Sequence, residues 1–121
     1  MRMLLVVVFF STFIISAQET AELDWVTDFE TAKLLSGKQD KPILMYFTGS
    51  DWCSPCKLLK KDFFNSTEFQ ERADKVVLLM VDIPRRRDIL SPEQLRANKE
   101  LVVKYNNEGS FPLIVGLNNK G

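Results

Sequence analysis

Gly49-Ser50-Asp51-Trp52-Cys53-Ser54-Pro55-Cys56-Lys57 holds the only two cysteines of the chain, and its reading decides the fold. It follows a mostly apolar run, Pro42-Ile43-Leu44-Met45-Tyr46-Phe47, and leads into a stretch with helical spacing. Two thiols spaced C-x-x-C, opening a helix directly after a strand, form a reversible redox couple. Pro55 falls in the first helical turn, where its missing N–H would have had no partner. The free N–H groups of that turn, with the positive end of the helix dipole, stabilise a thiolate on Cys53. A thiolate there attacks disulfides, and Cys56 is near enough to resolve the mixed disulfide that results. A bare C-x-x-C also serves zinc sites, so the strand–loop–helix setting carries the weight.

Composition narrows the chemistry further. The 121 residues, 45% hydrophobic and 26% charged, suit one globular domain. Sixteen basic and sixteen acidic side chains cancel, so no global field favours nucleic acid. The absence of histidine removes His-activated nucleophiles, His metal ligands and His pH switches together. A four-ligand zinc site would have to recruit carboxylates or form between two chains. No cofactor is expected beyond a Cys53–Cys56 disulfide.

The amino-terminal stretch has the pattern of a targeting segment. Arg2 gives a positive start, Met3 to Ile15 is apolar, and Ser16-Ala17 ends the run with small residues. The run is shorter than the ~20 apolar residues of a membrane-spanning helix. Residues 1–17 are therefore read as a signal peptide cleaved after Ala17, with an uncleaved anchor as the alternative. The mature chain is expected to be exported, periplasmic or extracellular, and to touch a membrane only through an uncleaved leader.

Outward from the cysteines, Thr27-Asp28-Phe29-Glu30 has the form of a capping box, opening a helix expected to stop at Gly37. The helix after the cysteines offers Leu58, Leu59, Phe63 and Phe64 to the core, with Lys57, Lys60 and Lys61 outward. Asn65 to Glu68 reads as the cap of a short helix reaching Ala73. Val76 to Val81 is a second apolar run, and two such runs across a helix imply a β-α-β crossover with parallel strands. Pro84-Arg85-Arg86-Arg87-Asp88 is a charged loop. Ser91-Pro92-Glu93-Gln94 combines an N-cap, a first-turn proline and a capping glutamine, and the helix is expected to end at Tyr105 before Asn106-Asn107. Gly109-Ser110-Phe111-Pro112 leads into a third strand, Leu113 to Leu117, and Asn118 to Gly121 reads as a hairpin turn.

This order, with Trp52-Cys53-Ser54-Pro55-Cys56-Lys57 and Phe111-Pro112 in their settings, resembles the thioredoxin-like superfamily. It is most similar to the exported thioredoxin-domain proteins of bacteria, whose signature G-S-D-W-C-x-x-C-K stands here as Gly49 to Lys57. The resemblance covers about Trp25 to Gly121. It implies an α/β fold with a central mixed sheet flanked by helices. It implies Cys53 and Cys56 as catalytic thiols and Trp52, Phe111 and Pro112 as substrate-binding residues, with Ser54, Pro55 and Lys57 supporting the motif. In the family, Phe111-Pro112 corresponds to a cis-proline loop whose backbone pairs with an extended substrate segment. The implied partners are protein disulfide clients and an upstream electron donor.

Three departures qualify the match. Where cytosolic thioredoxins carry a buried aspartate and a lysine on neighbouring strands, the aligned residues are Tyr46 and Leu78, which leaves Asp51 as a weak substitute proton relay. The dipeptide Ser54-Pro55 lacks the Pro-His of strong periplasmic oxidants, so electron flow is expected to be reducing or at most isomerising. The family continues with an antiparallel strand and a terminal helix, so residues 18–121 are read as a C-terminally incomplete domain.

Blander readings stand beside these. A disulfide between Cys53 and Cys56 closes too short a loop to add much as a staple. Trp52 reads as a lid on the thiols or as core packing. Lys57 supports the thiolate or is merely solvated, and Arg85-Arg86-Arg87 docks an acidic partner or is a solvated loop. Tyr46, Phe47, Phe63, Phe64 and Phe69 are read as core. Two function classes remain open: a thiol-disulfide oxidoreductase acting on exported proteins, and a non-catalytic module that binds a partner or handles a metal through the same loop.

Overall fold

A computed structural model of the chain describes residues 22–120; the proposed leader, residues 1–17, lies outside them. Three strands build the sheet: β1 (Ile43–Thr48), β2 (Val77–Asp82) and β3 (Leu113–Leu117). Their order is β2-β1-β3, with β1 parallel to β2 and antiparallel to β3, so the sheet is mixed. Between β1 and β2 lie α2 (Ser54–Leu59), a π-helical turn (Lys60–Phe64), the short α3 (Thr67–Gln70) and a 3₁₀ turn (Ala73–Lys75). Helix α1 (Phe29–Gln39) precedes β1, and α4 (Pro92–Tyr105) links β2 to β3. The α/β architecture expected from the sequence is the one observed.

The strand pattern explains why β1 is apolar almost throughout. Successive side chains on a strand point to opposite faces, and here both faces are covered. Ile43, Met45 and Phe47 of β1 join Val77, Leu79 and Val81 of β2 in one cluster with Ala32 of α1 and Leu101 of α4. On the other face, Tyr46 joins Cys53, Cys56 and Phe64, with Leu44 and Met80 packed against them. Central β1 is thus buried between two layers, and the cysteines belong to one of the two cores. Each large side chain removed from water here contributes roughly 1.5–3 kcal/mol.

Several boundaries differ from the sequence expectation, each for a physical reason. Helix α1 is capped by Asp28, whose carboxylate accepts the Thr31 N–H at 2.9 Å, and not by Thr27. It runs through Gly37 and ends at Asp40, which takes the left-handed conformation at φ 51°. Gly37 allows a stop without forcing one. The buried Ser36 hydroxyl donates to the Lys41 carbonyl, which ties the last turn to the start of β1. The cap of α3 is Ser66 and not Asn65, and that helix ends at Gln70.

The helix after the cysteines departs most. Its backbone widens over Lys60–Phe64, with Asn65 N–H donating to the Lys60 carbonyl at 2.9 Å. One extra residue in that turn rotates everything after it by about 100°. Phe64 swings into the core at 1% exposure, whereas Phe63 is 40% exposed and Leu58, before the turn, 59%. Lys57, Lys60 and Lys61 are exposed as expected. Helix α4 and strand β3 have their predicted limits, except that the Gln94 side chain does not close the capping box. It donates instead to the Thr27 carbonyl and to Asn98.

Candidate active site

The loop after β1 delivers the cysteines by a tight turn. The Gly49 carbonyl accepts the N–H groups of Trp52 at 3.2 Å and Cys53 at 2.9 Å. The turn is bolted to the neighbouring strand, because Asp82 at the end of β2 accepts Ser50 N–H and Ser50 Oγ–H at 2.9 and 2.6 Å. Cys53 is then the N-cap of α2, and Pro55 lies in its first turn. Cys53 and Cys56 form a disulfide with S–S 2.09 Å and Cα–Cα 5.3 Å. The Cys56 N–H points at Cys53 Sγ, 3.3 Å away, so a helix N-terminal donor already faces the sulfur that would carry the thiolate.

The two residues are equally buried, at 2% and 3% exposure. Helix position, and not exposure, therefore distinguishes Cys53 as the attacking thiol from Cys56 as the resolving one. Ser54, Pro55 and Lys57 are exposed on the outer side of the turn, and Lys57 makes no ion pair among the described residues.

Trp52 is fixed on several sides. Its Nε1–H donates to the Ile83 carbonyl at 2.7 Å, and its ring meets Phe111 edge-on at 5.5 Å between centroids. The Arg85 guanidinium lies 4.7 Å from the ring centroid. Trp52 and Phe111 both pack against the cluster containing the two cysteines. The Phe111–Pro112 peptide bond is cis, and Pro112 directly precedes β3. The motif and the proline loop, some sixty residues apart in sequence, thus meet at one end of the sheet.

Two residues of this region carry more than their sequence reading gave them. Tyr46, read as core packing, is buried among Trp25 and Phe64, yet its hydroxyl donates to the Cys56 carbonyl at 3.2 Å. Burial pushes its phenol above the ordinary 10.0, so it is neutral over the physiological range. Asn106, read only as a helix terminator, is 3% exposed. Its amide donates to the Ser110 carbonyl at 2.8 Å and its oxygen accepts the Ser110 N–H at 3.0 Å, which fixes the loop leading into Phe111-Pro112. An asparagine ending a helix three residues before a Gly-Ser-Phe-Pro loop was the available signal.

Asp51 has a different place from the one considered for it. Its carboxylate accepts the backbone N–H groups of Arg85 and Arg86 at 2.9 and 2.8 Å. Those bonds hold its pKa below the ordinary 3.8, and its work is to fasten the arginine loop. Among the described residues no three Cys, Asp or Glu side chains converge into a metal-ligand cluster.

Comparisons with known proteins agree with this geometry. A family model described as thioredoxin-like matches residues 24–118. Disulfide bond reductase DsbH of Chlamydia pneumoniae is 36% identical over 103 residues, covering 84% of this chain and 60% of DsbH. The chain thus spans less than two thirds of that relative's length. A solved DsbH oxidoreductase structure superposes with a TM-score of 0.74 at 35% identity, covering 84% of this chain and 69% of the other. A thioredoxin from Thermus thermophilus shares the fold alone, with a TM-score of 0.57 at 19% identity over 78% of this chain and 63% of its own. With its C-x-x-C turn, its cis-proline loop and a matched span of nearly all the described residues, this chain belongs to the thioredoxin-like family.

Proposed function

We propose that the chain is a thiol-disulfide oxidoreductase that reduces, or at most isomerises, disulfides in exported proteins through Cys53 and Cys56. The observation that carries this reading is the Cys53–Cys56 disulfide at the start of α2, with the Cys56 N–H aimed at Cys53 Sγ. In the reduced chain, the Cys53 thiolate attacks one sulfur of a client disulfide and expels the other as a thiolate. Cys56, once deprotonated, attacks Cys53 Sγ, which releases the second client thiolate and forms the intramolecular disulfide. Two electrons pass to the client, whose thiolates take up protons. An upstream dithiol donor restores the reduced pair.

Trp52 and Phe111 frame the approach to the sulfurs. In this reading Phe111, before the cis proline, offers backbone hydrogen bonds to an extended client segment, and the cis bond to Pro112 sets its orientation. The reducing direction is supported by the uncharged Ser54-Pro55 dipeptide and by the relative named as a disulfide bond reductase. The potential is expected nearer thioredoxin's, about −270 mV, than the roughly −120 mV of a strong oxidant. The apolar leader at residues 3–15 supports export.

Insulin reduction tests the activity, with Cys53→Ser as control. Turnover lost in Cys53→Ser and mixed disulfides trapped by Cys56→Ser are expected. No turnover by the unmodified chain would favour a non-catalytic partner-binding or metal-handling module. A glutathione-equilibrium potential above about −160 mV would overturn the reducing direction.

A further inference from the structure

We infer that Arg85 is a client-specificity residue, selecting polypeptides that carry Asp or Glu beside the reactive cysteine. The inference rests on the redox reading above and names the substrate class of that site. The arginine loop is not a freely solvated run. Asp51, next to the motif, accepts the backbone N–H groups of Arg85 and Arg86 and fixes where the loop stands. The Arg85 side chain then lies over Trp52, the residue preceding Cys53, and Trp52 in turn meets Phe111 of the proline loop.

Arg86 pairs with Asp88, whereas Arg85 makes no ion pair among the described residues. The residue is exposed and its guanidinium is held against an aromatic face, so its position is already restricted before a client arrives. Lys57, exposed on α2, adds a second cation near the thiols. The nearby carboxylates are otherwise engaged: Asp51 with the loop backbone, Asp82 with Ser50 and Asp88 with Arg86. Glu108 is an exposed acidic residue in the loop that leads to Phe111. The chain as a whole is neutral, so any charge preference arises locally at this rim. A client segment whose sulfur reaches Cys53 lies along the Trp52–Phe111 border, within reach of Arg85. Carboxylates there gain a charge-assisted contact, and lysines there meet a like charge.

The test uses the full chain and three disulfide-linked peptides of one length. Their cysteines are flanked by two Asp, two Ser or two Lys residues. Single-turnover reduction is expected to favour the acidic over the basic peptide by about tenfold at low salt. At 1 M salt, where screening acts over about 3 Å, the preference should nearly vanish. Arg85→Gln should cut it to about threefold, and Arg85→Lys should keep most of it. A preference under twofold in the unmodified chain overturns the inference, as does an Arg85→Gln chain that slows all three peptides in proportion. If no peptide is reduced, the redox reading fails separately. Fluorescence anisotropy with the Cys53→Ser/Cys56→Ser chain then reads the charge preference by itself: tighter binding of the acidic peptide supports it, and equal binding overturns it.

Discussion

Gly49→Ala should be far more damaging than a single added methyl on a loop normally is. A Cβ built on Gly49 would stand 2.2, 2.4 and 2.5 Å from Cε2, Nε1 and Cζ2 of Trp52. No real Cβ tolerates such contacts, so the indole must move by an ångström or more. It is not free to move at small cost. Nε1–H is bonded to the Ile83 carbonyl, Phe111 meets the ring edge and Arg85 covers its face. Losing the hydrogen bond costs about 1 kcal/mol, the aromatic pair about 0.5–1.5 kcal/mol, and the cation–π contact about 0.5–1 kcal/mol. Partial relaxation keeps some of each, and overpacking in general costs about 1–3 kcal/mol. A loss of about 2 kcal/mol is expected, which in a domain of this size lowers Tm by about 8–16 °C. Thermal unfolding of the oxidised chain measures it.

The sharper assay is the double-mutant cycle with Trp52→Ala. With the indole gone the three closest atoms to the added methyl are gone, so Gly49→Ala in that background should cost under about 0.5 kcal/mol. A Gly49→Ala chain within 2 °C of the unmodified protein would refute the argument. Equal costs in both backgrounds would place the effect in the loop backbone and not in the indole.

Tyr46→Phe removes one hydrogen bond but leaves Cys56 O satisfied by the Lys60 N–H, so a loss of about 1 kcal/mol is expected, against about 3–5 kcal/mol for Tyr46→Ala; equal losses by denaturant titration would contradict this. Because burial raises the Tyr46 pKa, its contribution is intact below 10.0 and declines as the pH rises through the folded value. The alkaline fall in stability should therefore be shallower in Tyr46→Phe. Asn106→Ala strips both bonds from Ser110; a loss of about 2 kcal/mol is expected, with weaker client capture by a Cys56→Ser trap than the same trap shows with Asn106 intact. Asp51 has a lowered pKa, so its hold on the arginine loop is complete above the ordinary 3.8 and lost as the pH falls through the folded value. The Arg85 and Arg86 amide NMR shifts should titrate with a midpoint below 3.8; a midpoint at or above it would mean the bonds do not form in solution.

What the sequence alone determined were features written in local chemistry. The apolar run before the motif, the Cys-x-x-Cys spacing with a first-turn proline, and the Ser91-Pro92 cap each have one natural structural outcome. They fixed β1, the start of α2 and the limits of α4, and with Phe111-Pro112 they pointed to the family. The extent of burial around Cys53 was not legible, because it depends on what packs over the helix and not on the helix itself. Tertiary structure alone decided which face of the second half of that helix is buried. Phe63 and Phe64 are both apolar, and only the widened turn at Lys60–Phe64 selects Phe64 for the core. The same holds for partners distant in the chain. Nothing local in Asp51, Arg85 or Asn106 says that the first fastens the arginine loop, the second covers Trp52, and the third holds the proline loop. Those contacts exist because β1 lies between β2 and β3, which brings the loops at one end of the sheet around the same pair of sulfurs.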